Sequence, residues 1–99
     1  MSEPDELRDH DLSLLPEDTA QDLDLAEGIL GLLTGWSAER LRVAREAAEP
    51  DPEQVARWTA DSERYAVLLR RVGRMSPAEL RGVVEELGPV ARRAVEEGR

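Results

Sequence analysis

Residues 23–36 read LDLAEGILGLLTGW and form the longest apolar stretch of this 99-residue chain. With 100° between successive residues of a helix, the apolar side chains of this stretch cover a continuous arc of roughly 180°. The arc contains Leu23, Leu25, Ala26, Ile29, Leu30, Leu32, Leu33 and Trp36. A surface helix needs a narrower apolar stripe, so the sequence predicts a first helix with more apolar surface than a small bundle covers.

The signals around this stretch set the expected limits of the first helix at about Pro16 and Thr34. Proline suits a first helical turn, and the acids that follow Pro16 are favourable at the positive end of the helix dipole. Gly35 is expected to end the helix. Ser37 would then cap a second helix running to about Ala48.

The clearest helix start in the chain is DPEQ at residues 51–54, with Asp51 as N-cap and Pro52 at the first helical position. The third helix is expected from about Pro52 to Gly73. Its apolar seam, at alternating three- and four-residue steps, is Val55, Trp58, Ser62, Tyr65, Leu69 and Val72.

The same steps continue back through Ala48, Ala44 and Leu41, which leaves two arrangements open for helices two and three. They form either one bent rod or a hairpin. We favour a real break, because Pro52 has no amide hydrogen and Pro50 disfavours a helical residue before it.

A shallower stripe of Ala56, Ala60 and Val67 lies on the other side of the third helix. Small side chains there would let another helix approach, although alanine also fills exposed helical positions on propensity alone.

Ser76-Pro77-Ala78-Glu79 repeats the capping pattern and predicts a fourth helix, which Gly88-Pro89 is expected to kink or split. Its expected inner face is Leu80, Val83, Val84, Leu87, Val90, Ala91, Ala94 and Val95. No β-type alternation is present. The sequence therefore predicts an all-α fold, a bundle of three to four helices over residues 16–99 with an acidic N-terminal arm at residues 1–15.

The formal net charge of −9 arises in the first thirty residues, which hold ten acids and one base, Arg8. The remaining residues hold twelve acids and twelve arginines. A local negative field of this kind attracts basic partners and repels nucleic acid and anionic membranes.

The sequence contains few residues of the types that form catalytic, metal or cofactor sites. The chain has no cysteine, which excludes disulfides and thiolate sites. Its one histidine, His10, has Asp9, Asp11 and, one helical turn earlier, Glu6 as possible further ligands, but this cluster lies in the acidic arm, where an ordered metal site is not expected. Glu-x-x-His pairs on facing helices, as in di-metal bundles, are lacking. We expect no enzyme activity, no metal and no cofactor.

Localisation and origin follow from composition. The N-terminus is acidic where a secretory signal is basic, and residues 23–36 are too short to cross a membrane. We expect a cytoplasmic protein. All thirteen basic residues are arginine, which is typical of a GC-rich bacterial genome.

The resulting functional prediction is a non-enzymatic module that binds a protein with a basic surface, for instance an antidote, a regulator antagonist or an accessory subunit. The expected contacts are Asp18, Asp22, Asp24, Leu25, Ile29, Leu32, Leu33 and Trp36. A homodimer through the first helix or the Trp58 and Tyr65 seam is the simplest use of such a surface.

The alternative is a small dimeric DNA-binding regulator. Residues 83–88 loosely follow the pattern that ends the first helix of a helix-turn-helix, and Arg92 and Arg93 follow. A groove-reading helix needs a basic surface around it, and this chain lacks one, so we do not expect nucleic acid as a partner.

Overall fold

The computed structural model describes residues 17–98, which form three α-helices. Helix α1 spans Glu17–Glu46, α2 spans Pro52–Arg71 and α3 spans Pro77–Glu97, and a short 3₁₀ turn at Val72–Arg74 follows α2. No strand is present in residues 17–98. The predicted all-α bundle is confirmed with three helices, and the predicted arm at residues 1–15 lies outside the described residues.

The prediction that the first helix ends at Gly35 is wrong, because α1 continues unbroken to Glu46. Ser37 does not cap a new helix. Its side chain is fully buried, and its hydroxyl donates a hydrogen bond of 3.2 Å to the carbonyl of Thr34. Packing of Leu33 and Ser37 against the core holds the backbone on both sides of Gly35, which outweighs the cost of about 1 kcal/mol for a helical glycine.

The break between α1 and α2 is real, and the two helices form a hairpin. Residues 47–51 reverse the chain, and the Asp51 carboxylate accepts a hydrogen bond of 2.9 Å from the amide of Glu53. The indole rings of Trp36 and Trp58 then meet edge to face across the hairpin, with 5.1 Å between centroids. The bent-rod alternative is therefore excluded.

Helix α3 begins with a complete capping box. The Ser76 hydroxyl accepts from the Glu79 amide at 3.2 Å, and the Glu79 carboxylate accepts from the Ser76 amide at 2.9 Å. The helix is not split at Gly88-Pro89. Pro89 and Glu85 are both exposed, so water can solvate the Glu85 carbonyl that loses its helical donor.

The chain runs up, down and up. Arg81 lies 3.0 Å from Asp22 near the start of α1, and Arg40 lies 3.5 Å from Glu97 at the end of α3, so α3 is parallel to α1. Helix α1 packs against both neighbours, whereas the backbones of α2 and α3 stay apart. The buried apolar side chains are Leu23, Ala26, Leu30, Leu33, Tyr65, Val72, Met75, Leu80, Val83, Leu87, Ala91 and Ala94.

Loss of the α3 N-cap should destabilise the bundle. We expect Ser76→Ala to lower the free energy of unfolding by about 1 kcal/mol, because the Glu79 amide loses its acceptor. Urea unfolding followed by circular dichroism measures the change. Ser76→Asp is the matched control and should retain most of the stability; equal losses in both variants would contradict a capping role.

The same capping box makes stability depend on pH. The hydrogen bond from the Ser76 amide, followed by that from the Ser76 hydroxyl, lowers the pKa of Glu79 below its ordinary value. The stabilisation is therefore present above the ordinary pKa of a glutamate and is lost as pH falls through the lowered value. We expect the stability difference between the wild type and Glu79→Gln to shrink on acidification.

Urea titrations from neutral to acidic pH measure this difference. Glu85→Gln, an exposed acid in the middle of the same helix, controls for removal of a charge. A difference between the wild type and Glu79→Gln that stays constant with pH would contradict the proposed linkage.

Candidate protein-binding surface

The apolar arc of α1 is divided by the fold into two stripes. The inner stripe, Leu23, Ala26, Leu30 and Leu33, is buried. The outer stripe, Leu25, Ile29 and Leu32, is covered only in part: Leu25 is 53% exposed and Leu32 is 37% exposed, while Ile29 is half-buried. Within the chain, α1 thus keeps apolar surface that its neighbours do not cover.

The outer stripe forms one wall of a groove of about 530 Å³ between α1 and α3, here called the α1/α3 groove. Helix α3 supplies the other wall, and Val95 at its far end is 40% exposed. The apolar and small residues that line the groove are Leu25, Ile29, Leu32, Val84, Gly88, Ala91 and Val95. Arg92 and Glu96 complete it with one charge of each sign.

Gly88 of α3 and Ile29 of α1 face each other across the groove. It is buried within α3, and a Cβ at this position would lie 3.8 Å from Cδ1 of Ile29. This is an ordinary van der Waals distance, so a methyl group at this position would pack against Ile29 without displacing it. The floor of the groove is therefore set by a backbone position of α3 and a branched side chain of α1.

Negative charge lies at the N-terminal end of the outer stripe. Asp18, Leu25 and Leu32 are seven residues apart and share one face of α1, and Asp18 and Asp24 are both exposed. At the other end of α1, Arg42 pairs with Glu39 and, at 2.8 Å, with Glu46. The hydrogen bond from Arg42 lowers the pKa of Glu39. The unpaired acids on this face thus lie at one end.

Three of the eight predicted contact residues have roles within the protein itself. Leu33 is completely buried in the core, and Asp22 is buried beside Arg81. Trp36 is half-buried against Trp58, with the Arg40 guanidinium 5.7 Å from its ring centroid. Leu25, Ile29 and Leu32 line the groove, and Asp18 and Asp24 are exposed near it.

Sequence reasoning missed the contribution of α3. The sequence pattern places Val84, Ala91 and Val95 on its inner face, but Val84 is half-buried and Val95 is exposed. The available signal is the breadth of the α3 arc, which at 100° per residue spans about 140° and is wider than the apolar stripe of an ordinary surface helix.

The described residues offer little for other kinds of site. Residues 17–98 contain no group of three side chains able to hold a metal ion, and His10 lies outside this range. The segment that loosely resembles a helix-turn-helix is interior to α3, without a turn. No helix in the described part of the chain combines the length and apolar character needed to cross a bilayer.

Comparison with known protein families, with curated proteins and with solved structures found no match. The functional argument therefore rests on the groove, its exposed leucines and its charges.

The division of α1 into two stripes predicts different outcomes for neighbouring leucines. Leu33→Ala should lower the free energy of unfolding by about 2–5 kcal/mol, because it opens a cavity in the core. Leu32→Ala should cost clearly less, about 1 kcal/mol, because that side chain is 37% exposed and only its covered part is lost from the packing. Denaturant unfolding of both variants measures this, and similar losses would show that the groove is core.

Proposed function

We propose that this protein is a non-enzymatic interaction module that binds another protein through the α1/α3 groove. The observation that carries the proposal is the pair of exposed leucines, Leu25 and Leu32, on one wall of an apolar groove. Large aliphatic side chains that a small domain leaves uncovered in a groove are typical of interaction sites.

The charge distribution supports a partner with a basic rim. Asp18 and Asp24 are exposed near the N-terminal end of the groove and give that end a negative charge. Burial of Leu25 and Leu32 would supply affinity, while complementary charge would raise the association rate and select the partner.

The form of the groove favours an apolar helix or a short apolar segment of the partner as its occupant. Two helices already form the walls, so a third can place side chains between them in the helix-in-groove mode. A toxin neutralised by an antidote, a regulator held by an antagonist and an enzyme served by an accessory subunit are all compatible with this mode. Such a module would act in the cytoplasm of a bacterial cell.

Self-association through the same groove is part of the proposal. A homodimer would cover Leu25 and Leu32 without any other protein, and a partner would then compete with it. Sedimentation velocity over a range of concentrations gives the oligomeric state before any partner is sought.

Charge introduced into the groove should abolish partner binding without unfolding the protein. We expect Leu32→Asp to prevent capture of the partner from native cell lysate, and to weaken any homodimer, with the helical circular dichroism signal retained. Val43→Asp is the matched control, because Val43 is 50% exposed on the same helix but outside the groove.

Capture that is equal for the wild type and both variants would contradict the proposal. Unfolding of Leu32→Asp alone would mean that Leu32 serves the core. A salt-sensitive mobility shift of duplex DNA by the wild-type protein would instead favour the DNA-binding alternative.

A further inference from the structure

A second groove, of about 580 Å³, lies between α2 and α3 and is here called the α2/α3 groove. Val67 on its wall is 42% exposed, and Leu68 beside it is half-buried. The apolar lining consists of Ala60, Val67, Leu68, Met75, Val83 and Leu87. Ala60 and Val67 belong to the shallow stripe of α2 that the sequence pattern indicated as a place for another helix.

This groove is the open side of the bundle. Helix α1 packs against both α2 and α3, while the backbones of α2 and α3 stay apart. A bundle of three helices with one open seam can be completed by a fourth amphipathic segment lying along that seam.

The two ends of the α2/α3 groove differ in charge. Near Met75, where α2 turns into α3, Arg71 lines the groove and lies 3.5 Å from Glu79. Three further arginines, Arg70, Arg74 and Arg81, belong to the same turn and the start of α3, and Arg81 lies 3.0 Å from Asp22. Within residues 17–98, neither Arg70 nor Arg74 has a carboxylate partner. At the other end, two acids and one base line the groove: Glu63, Glu86 and Arg64.

Residues 1–16 have the matching chemistry. They carry four leucines, and their charges are five acids and a single base, Arg8. Asp9 and Asp11 lie between Arg8 and the start of α1. A segment running away from α1 along the groove would therefore set Asp11 and Asp9 toward the arginine-rich end and Arg8 toward Glu63 and Glu86, while Glu3, Asp5 and Glu6 precede Arg8 and are not part of this match.

The length of residues 1–16 and their point of attachment to α1 also allow them to reach along the α2/α3 groove. The Asp22 and Arg81 pair places the start of α1 beside the start of α3, and α3 follows directly on Met75 at the groove end. From Arg71 to Ala60 the α2 wall extends about 17 Å at the helical rise, whereas sixteen residues span about 24 Å as a helix. Fully extended, they reach about 50 Å.

We propose that residues 7–15 of this chain occupy its own α2/α3 groove. Leu12 and Leu15 would lie toward Met75, and Leu7 and Arg8 toward Glu63 and Glu86. The α1/α3 groove lies on the other flank of α3, so the two surfaces are separate and this inference stands apart from the proposed function. Residues 7–15 would thus be bound to the groove in the free protein, and a more basic partner could displace them from it by competing for their acids.

Paramagnetic relaxation measured by NMR on the full-length chain tests the proposal. The chain has no cysteine, so a nitroxide on Ser13→Cys is unique. We expect loss of amide signal intensity for Val67, Leu68 and Leu87, with the signals of Leu25 and Leu32 in the α1/α3 groove retained. A nitroxide on Ser2→Cys is the matched control and should cause weaker losses at the same three amides.

A variant with reversed charge at the arginine-rich end of the groove gives a second test. In Arg71→Glu/Arg74→Glu, the Ser13→Cys label should no longer broaden the three α2/α3 groove signals. A mixture of labelled chains without ¹⁵N and unlabelled chains with ¹⁵N should show no broadening, because the contact is within one chain.

Three results would overturn the inference. The first is retention of all groove signals with the Ser13→Cys label, and the second is broadening of the α1/α3 groove instead. The third is broadening in the mixed sample, which would mean that a second copy supplies the segment.

Discussion

The whole structure depends on the burial of one stripe of α1. Leu23, Ala26, Leu30 and Leu33 sit between α2 and α3, and no other helix of the bundle packs closely against both of its neighbours. Two neighbouring helices can cover only part of an apolar arc that spans about half of the helix circumference. The uncovered part contains Leu25 and Leu32, so the exposed wall of the α1/α3 groove is a direct consequence of how the core is formed.

Helix α3 separates two grooves that differ in electrostatic character. The α1/α3 groove has exposed acids, Asp18 and Asp24, at the start of α1, whereas the α2/α3 groove ends among the arginines around the turn from α2 to α3. Both charge clusters lie at the same end of the molecule, since Asp22 pairs with Arg81 there.

Local signals in the sequence were accurate where a single hydrogen bond decides the structure. Asp51 and Ser76 cap α2 and α3 as predicted, because an N-cap needs only its own side chain and an amide two or three residues later. Gly35 and Pro89 do not end their helices, for the opposite reason. Each weakens a helix by a few kcal/mol at most, and packing of the flanking residues, or solvation of an exposed carbonyl, outweighs that loss.

The sequence by itself determined the all-α class, the helix start at Pro52, the charge asymmetry and the excess of apolar surface on the first helix. The tertiary structure alone decided that α1 is one helix, that Leu33 and Asp22 belong to the protein's own interior, and that Val84 and Val95 of α3 face Leu25 and Leu32 across a groove. The periodicity of a helix fixes which residues share a face, but only the position and rotation of its neighbours fix which part of that face is covered.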